Sequence, residues 1–203
     1  VYRGSNPQAV REGRGLFAMV FTSLNPHIPV IEEGRLTDPK QAEHFLSRVH
    51  FFHEWQNIGN TGWDANKIMK FHNENKLFLL SRAPQMKRIL GRMIATRFDE
   101  GVHPENVALE YMTEAQQALN VLTKKGRIAH TMERVLGRFS HQLTKSEKQE
   151  VVELIHGFRK GILPRSAPLV LLNHYLRRYN MNDKIMSRFI KSVPLEMGLM
   201  ARV

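Results

Sequence analysis

The chain of 203 residues is 42% hydrophobic and 24% charged, which excludes a disordered or low-complexity polypeptide and allows a sizeable core. Its 30 Lys and Arg residues against 19 Asp and Glu residues give a net charge of +11, which favours a polyanionic partner such as RNA, DNA or a nucleotide. The absence of cysteine excludes disulfides, thiolate metal sites and a cysteine nucleophile within these residues. No apolar run reaches the length of a membrane span and no secretory leader opens the chain, so we expect a soluble, cytoplasmic protein with no membrane partner.

The opening segment, residues 1–36, differs from the rest of the chain. Residues 1–14 are rich in Gly, Asn, Pro and Arg and predict a loop, whereas the apolar spacing of residues 15–24 predicts a helix that ends at Asn25–Pro26. Residues 27–31, HIPVI, predict one short β-strand. A single strand cannot satisfy its own backbone hydrogen bonds, so we expect this segment to be the end of an α/β unit whose other strands lie upstream of Val1.

From Thr37 onward the sequence predicts one helix after another. Asp38–Pro39, Pro84, Pro104 and the capping box of Thr144 and Glu147 each mark a helix start. Among the predicted helices are those over 64–82, 127–143, 169–179 and 183–190, and the short connections imply that neighbours pack side by side. The predicted fold is all-α, a multi-helix bundle of about seven to eight helices with a short N-terminal α/β remnant. We place the remnant at 1–36, a connecting helix at 37–62 and a helical domain at 63–203.

The helix predicted over residues 127–143 has one cationic face and one apolar face. At 100° per residue its apolar residues fall together and its basic residues fall opposite them. Such a row could follow a phosphate backbone, or it could be an ordinary solvated helix face. The basic residues of this row are Arg127, His130, Arg134, Arg138 and His141.

Two longer stretches contain several basic residues and no acidic residue, which strengthens the indication of an electropositive surface. Neither stretch distinguishes RNA, DNA, a nucleotide or an acidic protein as the partner. The first, between Asn75 and Phe98, holds Lys76, Arg82, Lys87, Arg88, Arg92 and Arg97, and the second, between Leu154 and Asn182, holds Arg159, Lys160, Arg165, Arg177 and Arg178.

Two polar pairs are candidates for a catalytic role. His72 and Lys76 fall on the apolar stripe of the helix predicted over 64–82, so they are either a functional pair or a satisfied structural pair. His174 and Tyr175 form a second polar cluster, although a lone histidine on a helix is more often structural. The spacing of His50, His53 and Glu54 is compatible with a metal ion, but no HExxH pattern accompanies it, and we predict no metal site in this chain.

Several short motifs between Met69 and Arg202 resemble the YbgA family, a helical domain of unknown function. They include Phe71–His72 with Lys76–Leu77, then 161–164 (GILP) and 167–176 (APLVLLNHYL). The chain departs from the family pattern at Asn75 and at Ser81–Arg82, where histidines are expected, and at Arg165, where an apolar residue is expected. The resemblance implies a helical fold and assigns no reaction.

Residues 13–18 (GRGLFA), 29–36 (PVIEEGRL) and 45–49 (FLSRV) resemble the end of the thiouracil desulfurase-like family, whose members often precede a YbgA-type domain. This resemblance implies a 4Fe-4S cluster, held by three cysteines upstream of Val1, and sulfur removal from thiolated pyrimidines. The chain then becomes an accessory domain that binds the thiolated nucleotide or RNA or shapes access to the site, and we expect it to be inactive alone. The alternatives are a nucleic-acid-binding module without catalysis, and an enzyme in its own right around His72, Lys76 and His174.

Overall fold

The structure, a computed structural model, describes residues 15–192. Within that range the chain forms ten α-helices and one short 3-10 helix, and it contains no β-strand. The 3-10 helix, Glu33–Thr37, lies between the first two α-helices. The α-helices are α1 (Leu16–Leu24), α2 (Pro39–Gly59), α3 (Ala65–Glu74), α4 (Lys76–Arg82), α5 (Pro84–Asp99), α6 (Pro104–Leu119), α7 (Lys125–Phe139), α8 (Lys145–Lys160), α9 (Ser166–Arg178) and α10 (Lys184–Ile190).

Four of the ten α-helices in the described range have a side-chain N-cap, and those of α2 and α8 are the ones that the sequence predicts. The Asp38 carboxylate accepts from the Lys40 amide at 2.9 Å, and proline at the first helical position needs no hydrogen-bond acceptor. At α8 the predicted capping box is present in both directions, with the Glu147 amide donating to Thr144 Oγ1 at 3.2 Å and the Thr144 amide donating to Glu147 Oε2 at 2.9 Å.

The helices bury two hydrophobic cores, and α4 joins them. One core lies among α2, α3, α5 and α6, and the other lies among α7, α8, α9 and α10. Leu77 of α4 belongs to the second core, whereas the adjacent Phe78 and Leu79 belong to the first. A short helix therefore supplies side chains to both halves of the bundle.

The strand predicted over residues 27–31 is wrong. This stretch has no ladder partner among residues 15–192; it packs instead over α2, where the ring centroids of His27 and Phe52 are 6.1 Å apart and Pro29 is buried. Two prolines, Pro26 and Pro29, lack the amide hydrogens that a sheet ladder needs. A turn, in which the Ile28 amide donates to the Asn25 carbonyl at 3.1 Å, and an irregular connection over 29–32 therefore replace the strand, and the described part of the opening segment has no α/β character.

The single helix predicted over residues 64–82 is divided in two at Asn75. The side chain of Asn75 is buried, and its Nδ2 donates to the Phe71 carbonyl at 3.0 Å. Asparagine competes in this way with the regular backbone hydrogen bonds of a helix. The backbone of Asn75 adopts φ −95° and ψ 6°, which departs from regular α-helical values and separates α3 from α4.

The buried face of α2 is polar in its N-terminal half. Phe45, Leu46 and Val49 are only partly buried, while four polar residues of the N-terminal half are buried: Glu43, His44, Ser47 and Arg48. Polar groups are buried at acceptable cost only where they find partners, so this half of α2 requires a polar environment. Among residues 15–192, no helix has both the length and the apolar character that crossing a bilayer requires.

Candidate functional site

Four of the predicted cations line one surface cavity, which we call the cationic cleft. Lys76 of α4, Lys87 of α5, and Arg134 and Arg138 of α7 surround a volume of about 450 Å³. Leu77, Leu80 and Gly137 complete its lining, and none of the described lining residues is acidic. The cavity is within the size range of small-ligand sites. Basic groups from three helices thus meet at one place: Lys76 and Lys87 belong to the first predicted basic stretch, and Arg134 and Arg138 belong to the predicted cationic row.

The pKa of His72 is affected by two lysines that line the cleft, Lys87 and Lys76. Burial, together with the ammonium groups of Lys87 and Lys76, lowers the pKa of His72 to about 4. The backbone carbonyl of Lys87 opposes this shift. His72 is therefore neutral at physiological pH, and the cleft charge comes from lysine and arginine.

The remainder of the predicted row is exposed, as expected, and the opposite face of α7 is buried. The helix predicted over 127–143 ends at Phe139, however, so His141 lies beyond α7. Two members of the row already have protein partners: Arg127 donates to the Arg82 carbonyl at 3.3 Å, and His130 lies 3.6 Å from the Glu133 carboxylate. Arg138 pairs with Asp183 at 3.1 Å and still lines the cleft. The row is therefore not a uniform phosphate track.

Several cations outside α7 are neutralised by neighbouring carboxylates. Arg97 donates to Glu110 and Glu100, and Arg159 pairs with Glu133. Arg178 pairs with Glu147 at 2.8 Å. Lys160, Arg88, Arg92, Arg177 and His141 are exposed outside the cleft lining.

Arg82 and Arg165 do not contribute to an electropositive surface, contrary to prediction, because both are buried. Arg82 Nη2 donates to Glu43 Oε1 at 3.0 Å, and Arg165 Nη1 donates to the same oxygen. Burial alone would raise the pKa of Glu43, but Arg165 and Arg82 outweigh it and lower the pKa to about 2. We call Glu43, Arg82 and Arg165 the buried triad. Sequence reasoning missed it; the two unexpected arginines are its only signal in the sequence.

Of the predicted pair of His72 and Lys76, only His72 packs between helices of the bundle. Nδ1 of His72 lies 3.2 Å from the Tyr111 hydroxyl, and the ring also packs on Gly91, where an added Cβ would lie 3.1 Å from Nε2. The ring therefore occupies a fitted place between α3, α5 and α6. Lys76, by contrast, lies on the wall of the cationic cleft.

His174 and Tyr175 lie on α9, apart from the cleft lining. His174 is exposed, and the centroid of its ring lies 5.3 Å from the centroid of the Tyr175 ring. Burial, followed by its hydrogen bond to Glu150, raises the pKa of Tyr175 to about 12. No described contact joins His174 to His72 or Lys76, so the three do not form one constellation within residues 15–192.

The described residues contain no group of three or more His, Cys, Asp or Glu side chains arranged to hold a metal ion. His53 pairs with Asn57 at 3.0 Å, while His50 lies 3.7 Å from Glu54, whose carboxylate also accepts from Arg188. The desulfurase resemblance implies a 4Fe-4S cluster, but this chain has no cysteine and does not fit one.

Residues 76–194 match the family model described as "Protein of unknown function (DUF1722)", which is more than half of the 203-residue chain. The chain belongs to the DUF1722 family. It is also similar to the uncharacterized protein YbgA of Escherichia coli (strain K12), with 25% identity over 138 residues, 66% of this chain and 79% of that protein. No solved structure matches.

The DUF1722 match confirms the YbgA-type resemblance of the helical part of the chain. The matched range begins at Lys76 and includes α4 to α10, so it contains every residue of the cationic cleft. The match does not reach residues 13–49, whose resemblance to a desulfurase-like family stays a prediction.

Proposed function

We propose that this DUF1722 chain is a helical module that binds the phosphate groups of RNA or of a nucleotide in the cationic cleft, without catalysis of its own. The observation that carries the proposal is the convergence of Lys76, Lys87, Arg134 and Arg138 around one cavity. Arginine gives bidentate phosphate contacts and lysine acts as a mobile point charge. The net charge of +11 adds long-range attraction for a polyanion.

The cleft supports phosphate binding better than the wider basic surface does. Its four cations come from α4, α5 and α7, whose relative positions are fixed by the two cores. Within the cleft only Arg138 has a described carboxylate partner, Asp183, whereas Arg159 and Arg178 on the wider surface each lie against a carboxylate that a phosphate would have to displace. A preorganised cluster of cations loses less side-chain entropy on binding than scattered surface lysines.

The test is binding of single-stranded RNA and, separately, of uridine monophosphate across a salt series. The variant combines Lys87→Gln with Arg134→Gln, which removes two charges from the cleft. We expect RNA affinity to fall about tenfold or more, and the slope of log affinity against log salt to decrease in magnitude by about 1.4, because two phosphate contacts are lost. If uridine monophosphate binds the unaltered chain and the double variant weakens that binding by a similar factor, a single nucleotide is a sufficient ligand.

The matched control combines Lys40→Gln with Lys145→Gln, two exposed lysines outside the cleft. It removes the same charge, and we expect its affinity to change by less than about threefold, as long-range attraction alone predicts. Equal losses in both double variants would show that binding is diffuse and would reject the cleft as the site. Absence of binding by the unaltered chain would reject the function.

A second candidate is that the module serves a protein that removes sulfur from thiolated pyrimidines, nucleotides or RNA. The observation that favours it is the uncovered apolar face of α1, where Leu16, Phe17 and Leu24 are 77%, 83% and 73% exposed. Such a face is unusual on an isolated domain and fits packing against further protein. Its residues include part of the stretch that resembles the desulfurase-like family.

This candidate is tested on the full-length protein, reconstituted anaerobically with iron and sulfide. We expect release of sulfide from thiouracil or thiolated RNA by the whole protein, and none by the 203-residue chain alone. Turnover by the chain alone would contradict the accessory role. Failure of the whole protein to release sulfide would remove the candidate without affecting the phosphate-binding test.

A further inference from the structure

The cationic cleft is not lined by cations alone. Leu77, Leu80 and Gly137 complete its described lining, and their side chains offer no hydrogen-bond donor to a phosphate oxygen. The cavity of about 450 Å³ is also large for a phosphate group, since a water molecule takes up only about 30 Å³ in the liquid. Beside its cations the cleft therefore has room for more of a ligand than the phosphate.

Gly137 lies in this wall, and no packing contact requires a glycine there. Glycine within a helix is less favourable than alanine, so its presence needs a reason. At three other helical glycines the reason is a neighbouring side chain, to which an added Cβ would come within 3.1 Å or less: Gly59, Gly91 and Gly157. At Gly137 no atom of the described residues lies within 4 Å of such a Cβ.

The position of Gly137 on α7 does supply a reason. Gly137 follows Arg134 by three residues and directly precedes Arg138, so the three share the helix face that lines the cleft. The backbone does not require glycine, because positive φ angles occur elsewhere in the described residues and not at Gly137. A side chain at position 137 would therefore project into the cleft beside the two arginines.

A nucleotide unit matches this lining better than a bare phosphate does. Its phosphate pairs with the cations of the cleft, and its sugar and base provide carbon surface for the partly buried Leu80 and for the bare backbone at Gly137. A guanidinium such as that of Arg134 also stacks on the plane of a base. A missing side chain lets a flat group approach a helix closely.

We infer, on the basis of the phosphate-binding function proposed above, that the cleft binds a whole nucleotide unit and that Gly137 determines this specificity. The cations hold the phosphate, while the sugar or the base lies against Leu80 and Gly137. The nucleotide unit is either free or part of an RNA strand, and the ligands of the experiment distinguish these two sources.

The test is Gly137→Leu in the 203-residue chain, which fills the space beside the arginines and keeps every charge of the cleft. The ligands are uridine monophosphate, a short oligouridylate, and inorganic polyphosphate with the same number of phosphates as the oligouridylate. We expect the variant to weaken binding of the uridine ligands about tenfold or more, and of polyphosphate less than about twofold, because polyphosphate has no sugar or base to exclude. Should Gly137→Leu fail to fold, Gly137→Ala takes its place, with an expected loss of about threefold for the uridine ligands.

The matched control is Gly126→Leu, which makes the same change on the same helix at an exposed position outside the cleft lining. No atom of the described residues lies within 4 Å of an added Cβ at Gly126 either. We therefore expect this variant to fold and to change the affinity for each ligand by less than about twofold. The Tm of each variant checks that the fold is retained.

The possible outcomes separate the role of Gly137 from the function on which it depends. Failure of all three ligands to bind the unaltered chain overturns both. Equal effects of Gly137→Leu and Gly126→Leu, or an equal loss for polyphosphate and oligouridylate in Gly137→Leu, overturn the role of Gly137 and leave phosphate binding intact. A selective loss with both uridine ligands means that a free nucleotide suffices, whereas a selective loss with the oligouridylate alone identifies RNA as the source.

Discussion

Arg82 and Arg165 donate to the same oxygen atom, Oε1 of Glu43, from positions at the end of α4 and just before α9. These are also two of the positions where a departure from the YbgA-type pattern is expected from the sequence. The two positions are linked in space, since both arginines depend on one buried carboxylate. Because the triad holds two cations and one anion, its members are not equivalent.

Replacing Glu43 by Gln should be the most destabilising single change in the triad. The substitution keeps the shape of the side chain but leaves two buried guanidinium groups without a counter-charge, which costs about 3–5 kcal/mol in comparable sites. The measurement is the free energy of unfolding from urea denaturation. Glu133→Gln is the matched control, because the pair of Glu133 with Arg159 is 43% exposed on both sides and should contribute less than about 1 kcal/mol. Similar losses in the two variants would contradict a buried triad.

A double-mutant cycle on the two arginines should show strong coupling. Arg82→Met or Arg165→Met alone leaves a one-to-one ion pair with Glu43, so each should destabilise the protein less than Glu43→Gln does. The double variant leaves Glu43 buried without a cation, and its loss should exceed the sum of the two single losses by about 1–3 kcal/mol. Additive losses would show that the arginines act independently.

Stability should decrease as the pH falls from about 6.5 to about 4. His44 has a folded pKa of about 4 against 6.5 in the unfolded chain, so the unfolded state binds more protons in this window and is favoured by acid. His72 acts with the same sign. The contribution of His44 is roughly 3 kcal/mol across the window. Glu43, lowered from 4.5 to about 2, extends the loss below pH 4.5.

The check is the free energy of unfolding as a function of pH for the unaltered chain and for His44→Gln. The variant should show a shallower slope between pH 6.5 and 4, because the group that titrates only in the unfolded state is gone. His141→Gln, at an exposed position, serves as the control and should keep the original slope. An unchanged slope in His44→Gln would be evidence against a buried neutral imidazole.

Gly59→Ala should destabilise the protein and alter its tryptophan fluorescence. A Cβ at Gly59 would lie 2.4 Å from Trp63 Cζ2, so the indole must move from its place against Trp55, where the ring centroids are 4.3 Å apart. Overpacking of this kind costs about 1–3 kcal/mol. The chain has only these two tryptophans, so its emission reports the change directly.

Gly137→Ala is the control for the glycine substitution. Gly137 lies inside α7 with no atom within 4 Å of an added Cβ, so alanine should stabilise the helix by about 0.5–1 kcal/mol. A loss of stability in Gly137→Ala, or an unchanged emission spectrum in Gly59→Ala, would contradict the packing described for these positions.

Features set by neighbouring residues could be predicted from the sequence, and features set by distant residues could not. The Thr144 capping box and the two faces of α7 depend on spacings of three and four residues, which the sequence displays directly. The buried triad joins Glu43 to Arg165 over 122 positions, and no local pattern encodes that contact. The strand over 27–31 was wrong because β-branched residues indicate an extended backbone without indicating a ladder partner.

The sequence predicted the basic residues of the cationic cleft but not that they line one cavity. The sequence indicates that Arg134 and Arg138 face outward and that Lys87 lies in a basic stretch, but not that α4 and α5 bring lysines to the same place. That meeting depends on the break at Asn75, where a side-chain amide competes with the helix backbone. Helix propensity alone gives no sign of such a break.

The placement of consecutive residues Leu77 and Phe78 in different cores bears on how the protein melts. Neither half of the bundle can lose its packing without exposing one side of α4, so loosening of one half is transmitted to the other. We therefore expect one cooperative thermal transition, and expect the amide hydrogens of α4 to exchange with solvent only when the whole molecule opens.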